Sequence, residues 1–125
     1  MSGLTLDAGA LIGFDRNDRR VTVLIARSLS LGVTVVVPAG AVGQAWRNGR
    51  TQARLARLLA SRLVKVEPLD DAGARAAGQL CGVRGTTDVV DASVVLCAKS
   101  HHHTILTSDP DDLRLLDPSA RLVRI

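Results

Sequence analysis

Three groups of aspartates fall where apolar runs give way to helix-forming ones. Asp7 closes the run GLTLD, Asp88 and Asp91 open DVVDASVVLCAKS, and Asp109 with Asp112 lies in TILTSDPDDL. Carboxylates gathered at one point repel one another unless a divalent cation sits between them. Oxygen-only ligands favour a hard ion, Mg2+ or Mn2+, over zinc. Each group also has a plainer reading, because Asp is among the best N-cap residues and acidic first turns suit the helix dipole. Asp88 and Asp91 are three apart and so share one side of a helix. Caps that converge on one edge of one sheet would make a site, so the elements that place them decide between the readings.

Five short aliphatic runs have the length and composition of strands: Leu4–Leu6, Val33–Val37, Leu63–Val66, Thr104–Leu106 and Leu122–Ile125. Between them lie helix-like stretches. Asp18 precedes a helix over Arg19–Leu31, Pro38 one over Ala39–Arg47, and Leu55, Leu59 and Leu63 repeat at helical spacing from Thr51 to Ser61. Asp70 or Asp71 caps Ala72–Leu80, and Gly82 with Gly85 ends that region. Asp88 opens Val89–Ser100, and Pro110 stands at the favoured first position of a last short helix. Strands alternating with helices imply right-handed crossovers and a parallel sheet covered on both faces. The ligand site of such a sheet lies outside the carboxyl ends of its strands, where Asp7 and Asp109 fall.

The 125 residues make one domain, spanning 1–125, long enough to bury about two-thirds of its unfolded surface. With one Trp, one Phe and no Tyr, the core must be aliphatic. Fourteen arginines against two lysines give a net charge of +4. A basic surface around an acidic pocket suits a phosphodiester, although a coding bias toward Arg yields the same composition. Arg47, Arg50, Arg54 and Arg57 recur at three- and four-residue spacing as one basic face that could grip phosphates or an acidic partner. The neighbouring Trp46 reads as a half-buried packing residue. No apolar run reaches about 18 residues, so no membrane span is expected, and no signal peptide is indicated. Cys81 and Cys97 lack metal-site spacing and read as buried thiols of a reducing cytoplasm. His101, His102 and His103 read as a solvated turn before the fourth strand.

With these pieces placed, nearly the whole chain resembles the PIN-domain proteins, in particular the VapC-type ribonucleases of bacterial toxin–antitoxin pairs. The marks are LTLDAGALIGF, VPAGAVGQAWR, DASVVLCAKSHHHTILTSD and the closing short helix and strand. The resemblance implies a three-layer α/β/α domain around a mostly parallel sheet of four or five strands. It implies cleavage of single-stranded or looped RNA with Mg2+ or Mn2+, a homodimer, and silencing by a cognate antitoxin whose tail fills the active-site groove. By position, Asp7 matches the family's first acidic residue, Asp91 the third and Asp109 the fourth. Gln44 stands where the family carries a glutamate, and the one glutamate, Glu67, is placed elsewhere. Asp88, on the same face as Asp91, is the candidate to restore the missing charge.

The expected chemistry is phosphodiester hydrolysis by a cation-activated water, leaving a 5′-phosphate and a 3′-hydroxyl. Asp7, Asp91 and Asp109 form the expected core, with Asp88 and Asp112 acting through water. Thr107 or Ser108 would hydrogen-bond a ligand carboxylate or the substrate, and Arg47 and Arg50 would contact phosphates. The alternative is a PIN-like module that binds RNA or a protein without cutting, weakened by Gln44. A phosphoacceptor resembling bacterial receivers is disfavoured because Lys65 and Lys99 are badly placed.

Overall fold

The computed structural model describes residues 3–125. Five parallel strands form one sheet: β1 (Gly3–Leu6), β2 (Thr34–Pro38), β3 (Val64–Glu67), β4 (Thr104–Thr107) and β5 (Leu122–Arg124), in the order β3-β2-β1-β4-β5. The helices are α1 (Ala8–Asp15), α2 (Arg19–Ser30), α3 (Ala39–Ala45), α4 (Ala53–Ala60), α5 (Asp71–Arg84), α6 (Val89–His101) and α7 (Pro110–Leu116). The sheet is therefore five-stranded and wholly parallel, and the three-layer architecture is that of a PIN-like fold.

Chain order explains the layering. From β1 the chain moves outward to β2 and β3, then returns past β1 to β4 and β5. Right-handed crossovers put helices of the outward leg on one face and helices of the return leg on the other. Accordingly α1 packs on α2, α3 and α4, while α5, α6 and α7 pack on one another. The direction of travel reverses between β1 and β4, which is the switch point where open α/β sheets bind ligands.

The central strands are buried on both faces, as a parallel sheet covered by two helical layers requires. Leu4, Leu6, Val35, Val37, Ile105 and Leu106 are buried with Leu11, Ile25, Leu55 and Leu113. Helix ends follow the sequence signals: Asp18 Oδ1 accepts from the Arg20 N–H at 3.1 Å, and Asp70 Oδ1 from the Gly73 N–H at 2.7 Å. Helix α5 runs through Gly82 and stops at Gly85, whose φ of 72° is left-handed, so one glycine rather than two ends it.

Two expectations on the outward leg are corrected. Helix α3 ends at Ala45 and α4 begins at Ala53, so Arg47 and Arg50 lie in the connecting loop and not on a shared helical face. Arg54 turns inward: its Nε donates to the Phe14 carbonyl at 3.0 Å, and its guanidinium lies 5.0 Å from the Phe14 ring centroid. It clamps α4 to α1. Asp15 and Asp117 also have structural work. Asp15 Oδ1 accepts from the Leu55 N–H in the first turn of α4 at 3.2 Å, and Asp117 Oδ1 accepts from the Ser119 N–H at 3.0 Å. Among the described residues, no helix is long and apolar enough to cross a membrane.

Candidate active site at the carboxyl edge of the sheet

Asp7 is the first residue past β1, and its N–H donates to the Leu106 carbonyl of β4 at 3.3 Å. That bond fixes it on the β1–β4 seam. Its carboxylate is buried, with 5% exposure, and Oδ1 accepts from the Ala10 N–H at 2.9 Å. Asp7 is thus a helix cap, yet capping fills only part of a carboxylate's acceptor capacity. Burial raises the Asp7 pKa most, hydrogen bonds from Thr107 and the α1 backbone oppose the rise, and the charge of Asp109 adds to it.

Thr107, the last residue of β4, is fully buried and joins the two carboxyl-bearing loops. Its hydroxyl donates to Asp7 and accepts from the Asp109 N–H at 2.9 Å. Gly9 makes the approach of those loops possible, since a Cβ there would overlap Ser108 Oγ. Ser108 itself is exposed and touches Asp109 only at 3.5 Å.

Helix α6 brings Asp88 and Asp91 from the far face, and α7 brings Asp112. Asp88 caps it, with Oδ1 accepting from the Asp91 N–H at 2.9 Å. The Asp91 carboxyl is pushed up to about 7, first by burial and then by the charges of Asp88, Asp7 and Asp112. Asp88, Asp91 and Asp112 share a cavity of about 170 Å³ with Thr86, Leu115 and Leu116. The electrostatic links run from Asp109 to Asp7, from Asp7 to Asp91, and from Asp91 to Asp88 and Asp112. All five predicted aspartates therefore belong to one field.

The aspartates nevertheless keep some distance. Among the described residues, the only three Asp, Glu, His or Cys side chains with ligand atoms all within 4.8 Å are Glu67, Cys97 and His101. Mg2+ usually retains several waters and is held directly by one or two carboxylates. Loosely spaced carboxylates with uncompensated negative charge fit such an ion.

The remaining predicted residues stand apart. Gln44 is exposed on α3 and takes no part in the interactions that shift Asp7 or Asp91. Arg47 donates to the Trp46 and Gly43 carbonyls at 2.7 and 3.2 Å, closing the end of α3, while Arg50 is exposed in the loop. The histidines are not a solvated turn. His103 is buried with Nδ1 3.1 Å from Thr5 Oγ1, His101 contacts Glu67, and only His102, in the left-handed cap of α6, is exposed. The Cys97–His101 spacing of one helical turn was the available signal for the cluster with Glu67.

The fold and the carboxylate edge together define a PIN-like α/β/α domain. Its likeness extends to the sarcin–ricin loop cleaving toxin VapC20 of Mycobacterium tuberculosis, at 17% identity and TM-score 0.71, covering 98% of this chain and 100% of that one. FitAcB from Neisseria gonorrhoeae aligns at 19% identity and TM-score 0.65 over 97% and 96% of the two chains. VapBC2 from Rickettsia felis, bound to a DNA fragment from its promoter, aligns at 12% identity and TM-score 0.69 over 97% of each chain. At these identities the likeness establishes the fold. No protein-family model matches the chain, and no curated protein sequence matches it significantly.

Proposed function

We propose that this protein is a divalent-metal-dependent endoribonuclease, the toxin member of a VapC-type pair. The observation that carries the reading is the gathering of Asp7, Asp88, Asp91 and Asp112 at the sheet's switch point, where burial first and the neighbouring carboxylates second push Asp91 up to about 7. Such unrelieved negative charge is what a Mg2+ or Mn2+ site looks like to its own ligands. Asp7, Asp91 and Asp109 would hold the ion, with Asp88 and Asp112 contacting it through water. When bound, the ion supplies Lewis-acid activation of water and of the scissile phosphate.

The chain's own residues do the rest. The Thr107 hydroxyl orients the Asp7 carboxylate and restrains the Asp109 backbone. Gly9 keeps the Asp7 and Ser108 loops close enough to share a substrate phosphate. Exposed Arg50, and Arg47 where its guanidinium is not engaged by the α3 carbonyls, would supply sequence-independent phosphate contacts. The basic surface also suits an antitoxin with an acidic tail, and a homodimer would extend the RNA groove.

Gln44 favours a second reading, a module that binds RNA or a protein without cutting, because it brings no charge where a glutamate is expected. Incubating structured RNAs with the protein and Mn2+ separates the two. Cleavage that leaves 5′-phosphates and disappears in Asp7→Asn supports the nuclease. RNA binding without cleavage by folded wild-type protein supports the module.

A further inference from the structure

The other end of α6 carries a second cluster that the carboxylate edge does not use. Cys97 and His101 are four residues apart, so both point from one face of the helix. Glu67 meets them from the end of β3, with Oε1 2.8 Å from His101 Nε2. One ligand atom from each of the three lies within 4.8 Å of the others. Glu67 also accepts a hydrogen bond from the Cys97 thiol, and these two partners hold its carboxyl below the usual range.

A nucleophilic role for Cys97 is excluded by its surroundings. Burial, and then the Glu67 carboxylate, push the thiol up to about 12, so it stays protonated at neutral pH. Only a metal ion that displaces that proton turns the group into a strong ligand.

We propose that Glu67, Cys97 and His101 form a zinc site with three protein ligands and a fourth position facing the adjoining cavity. Thiolate, imidazole and carboxylate together suit Zn2+ and not the hard ions of the aspartate edge. Metal–ligand bonds of about 2.0–2.3 Å place tetrahedral ligand atoms about 3.3–3.8 Å apart. The His101–Glu67 pair at 2.8 Å therefore opens by less than about 1 Å, and the other pairs, at most 4.8 Å apart, close by no more than about 1.5 Å, within reach of ordinary side-chain adjustment. Zn2+ replaces the Cys97 thiol proton, which leaves to solvent, and takes a neutral His101 ring nitrogen. The cavity, about 190 Å³ and lined by Glu67, Cys97, Pro38, Pro68, Leu69 and Leu96, is several times the roughly 30 Å³ share of one water. A water or a small exogenous ligand has room there. This site uses no residue of the proposed nuclease centre and stands or falls separately from it.

The test uses the full-length, metal-free protein titrated with Co2+ as the probe, followed by Zn2+. One equivalent of Co2+ is expected to give an intense near-ultraviolet thiolate-to-cobalt band with tetrahedral visible bands, bleached by Zn2+. The bands persist in Cys81→Ser and Asp7→Asn and vanish in Cys97→Ser. Should Cys97→Ser fail to fold, His101→Gln and Glu67→Gln decide the matter. Their side chains are only 30% and 32% exposed, but neither lies in the central core. Each should weaken Zn2+ binding by at least about tenfold. Absence of a thiolate band, its loss in Cys81→Ser, or Zn2+ affinity unchanged in both His101→Gln and Glu67→Gln would overturn the assignment.

Discussion

At the first turn of α6, Asp91 faces Asp88, Asp7 and Asp112, and its carboxyl is pushed up to about 7. At the last turn of the same helix, Glu67 faces Cys97 and His101, and its carboxyl is held down. One cluster is all oxygen, all acidic and electrostatically unrelieved. The other mixes sulfur, nitrogen and oxygen and satisfies itself with its own hydrogen bonds. The difference teaches that crowded ionisable groups can be stored in two ways. Like groups leave their charge uncompensated, while unlike groups compensate one another through hydrogen bonds.

The comparison breaks first at Asp7. Asp7→Asn keeps the N-cap but removes a charge from the seam, and RNA cleavage should fall by more than about a hundredfold, beyond the usual cost of losing a ligand's supporting partner. Cleavage of labelled RNA by the purified variant checks this, and near-normal rates would remove Asp7 from the chemistry. Thr107→Val deletes the hydroxyl that serves both Asp7 and Asp109. We expect about a tenfold loss of Mg2+ affinity, read by isothermal titration, with much of it restored in Thr107→Ser.

Asp88→Asn sharpens the contrast, because Asn caps as well as Asp but carries no charge. Mg2+ affinity should drop several-fold while the melting temperature does not fall. Unchanged affinity would make Asp88 a cap and nothing more. The pH behaviour of Asp91 gives a smaller signal. Its folded-state pKa lies above the ordinary value of 3.8, so its contribution to stability is present at low pH and is lost as pH rises through about 7. Without divalent ions, Asp91→Asn should therefore melt higher than wild type at pH 8 and much the same at pH 4, measured by thermal scans. Asp15→Ala should cost about 1 kcal/mol, the usual value of a cap, and leave cleavage untouched. Denaturant titration beside the RNA assay would show whether that aspartate is as purely structural as its bond to Leu55 indicates.

The strands and helix starts could be read from the sequence because their causes are local. Aliphatic runs, caps at Asp18, Asp70 and Asp88, and Pro110 at a first helical position each act within a few residues. The carboxylate edge was legible for a related reason: parallel strands bring their carboxyl ends together, so Asp7 and Asp109 needed only the correct sheet type. The Glu67 cluster was not legible, since Glu67 and His101 are 34 residues apart and meet only because β3 forms the sheet's outer edge beside β2. Arg54 misled for the opposite reason. Its spacing matched a basic stripe, but the turn between α3 and α4 rotated it onto Phe14. His103 looked solvated beside two other histidines until the chain entered β4 and carried it against Thr5.

The aliphatic core has an optical consequence. With no tyrosine and one tryptophan, indole emission comes from Trp46 alone. That indole is 37% exposed, packs against Gly49, and sits at the head of the loop bearing Arg47 and Arg50. The protein thus carries its own fluorophore beside the arginines proposed to meet nucleic acid. Label-free quenching titrations can follow whatever settles there, against a background with no other indole to subtract.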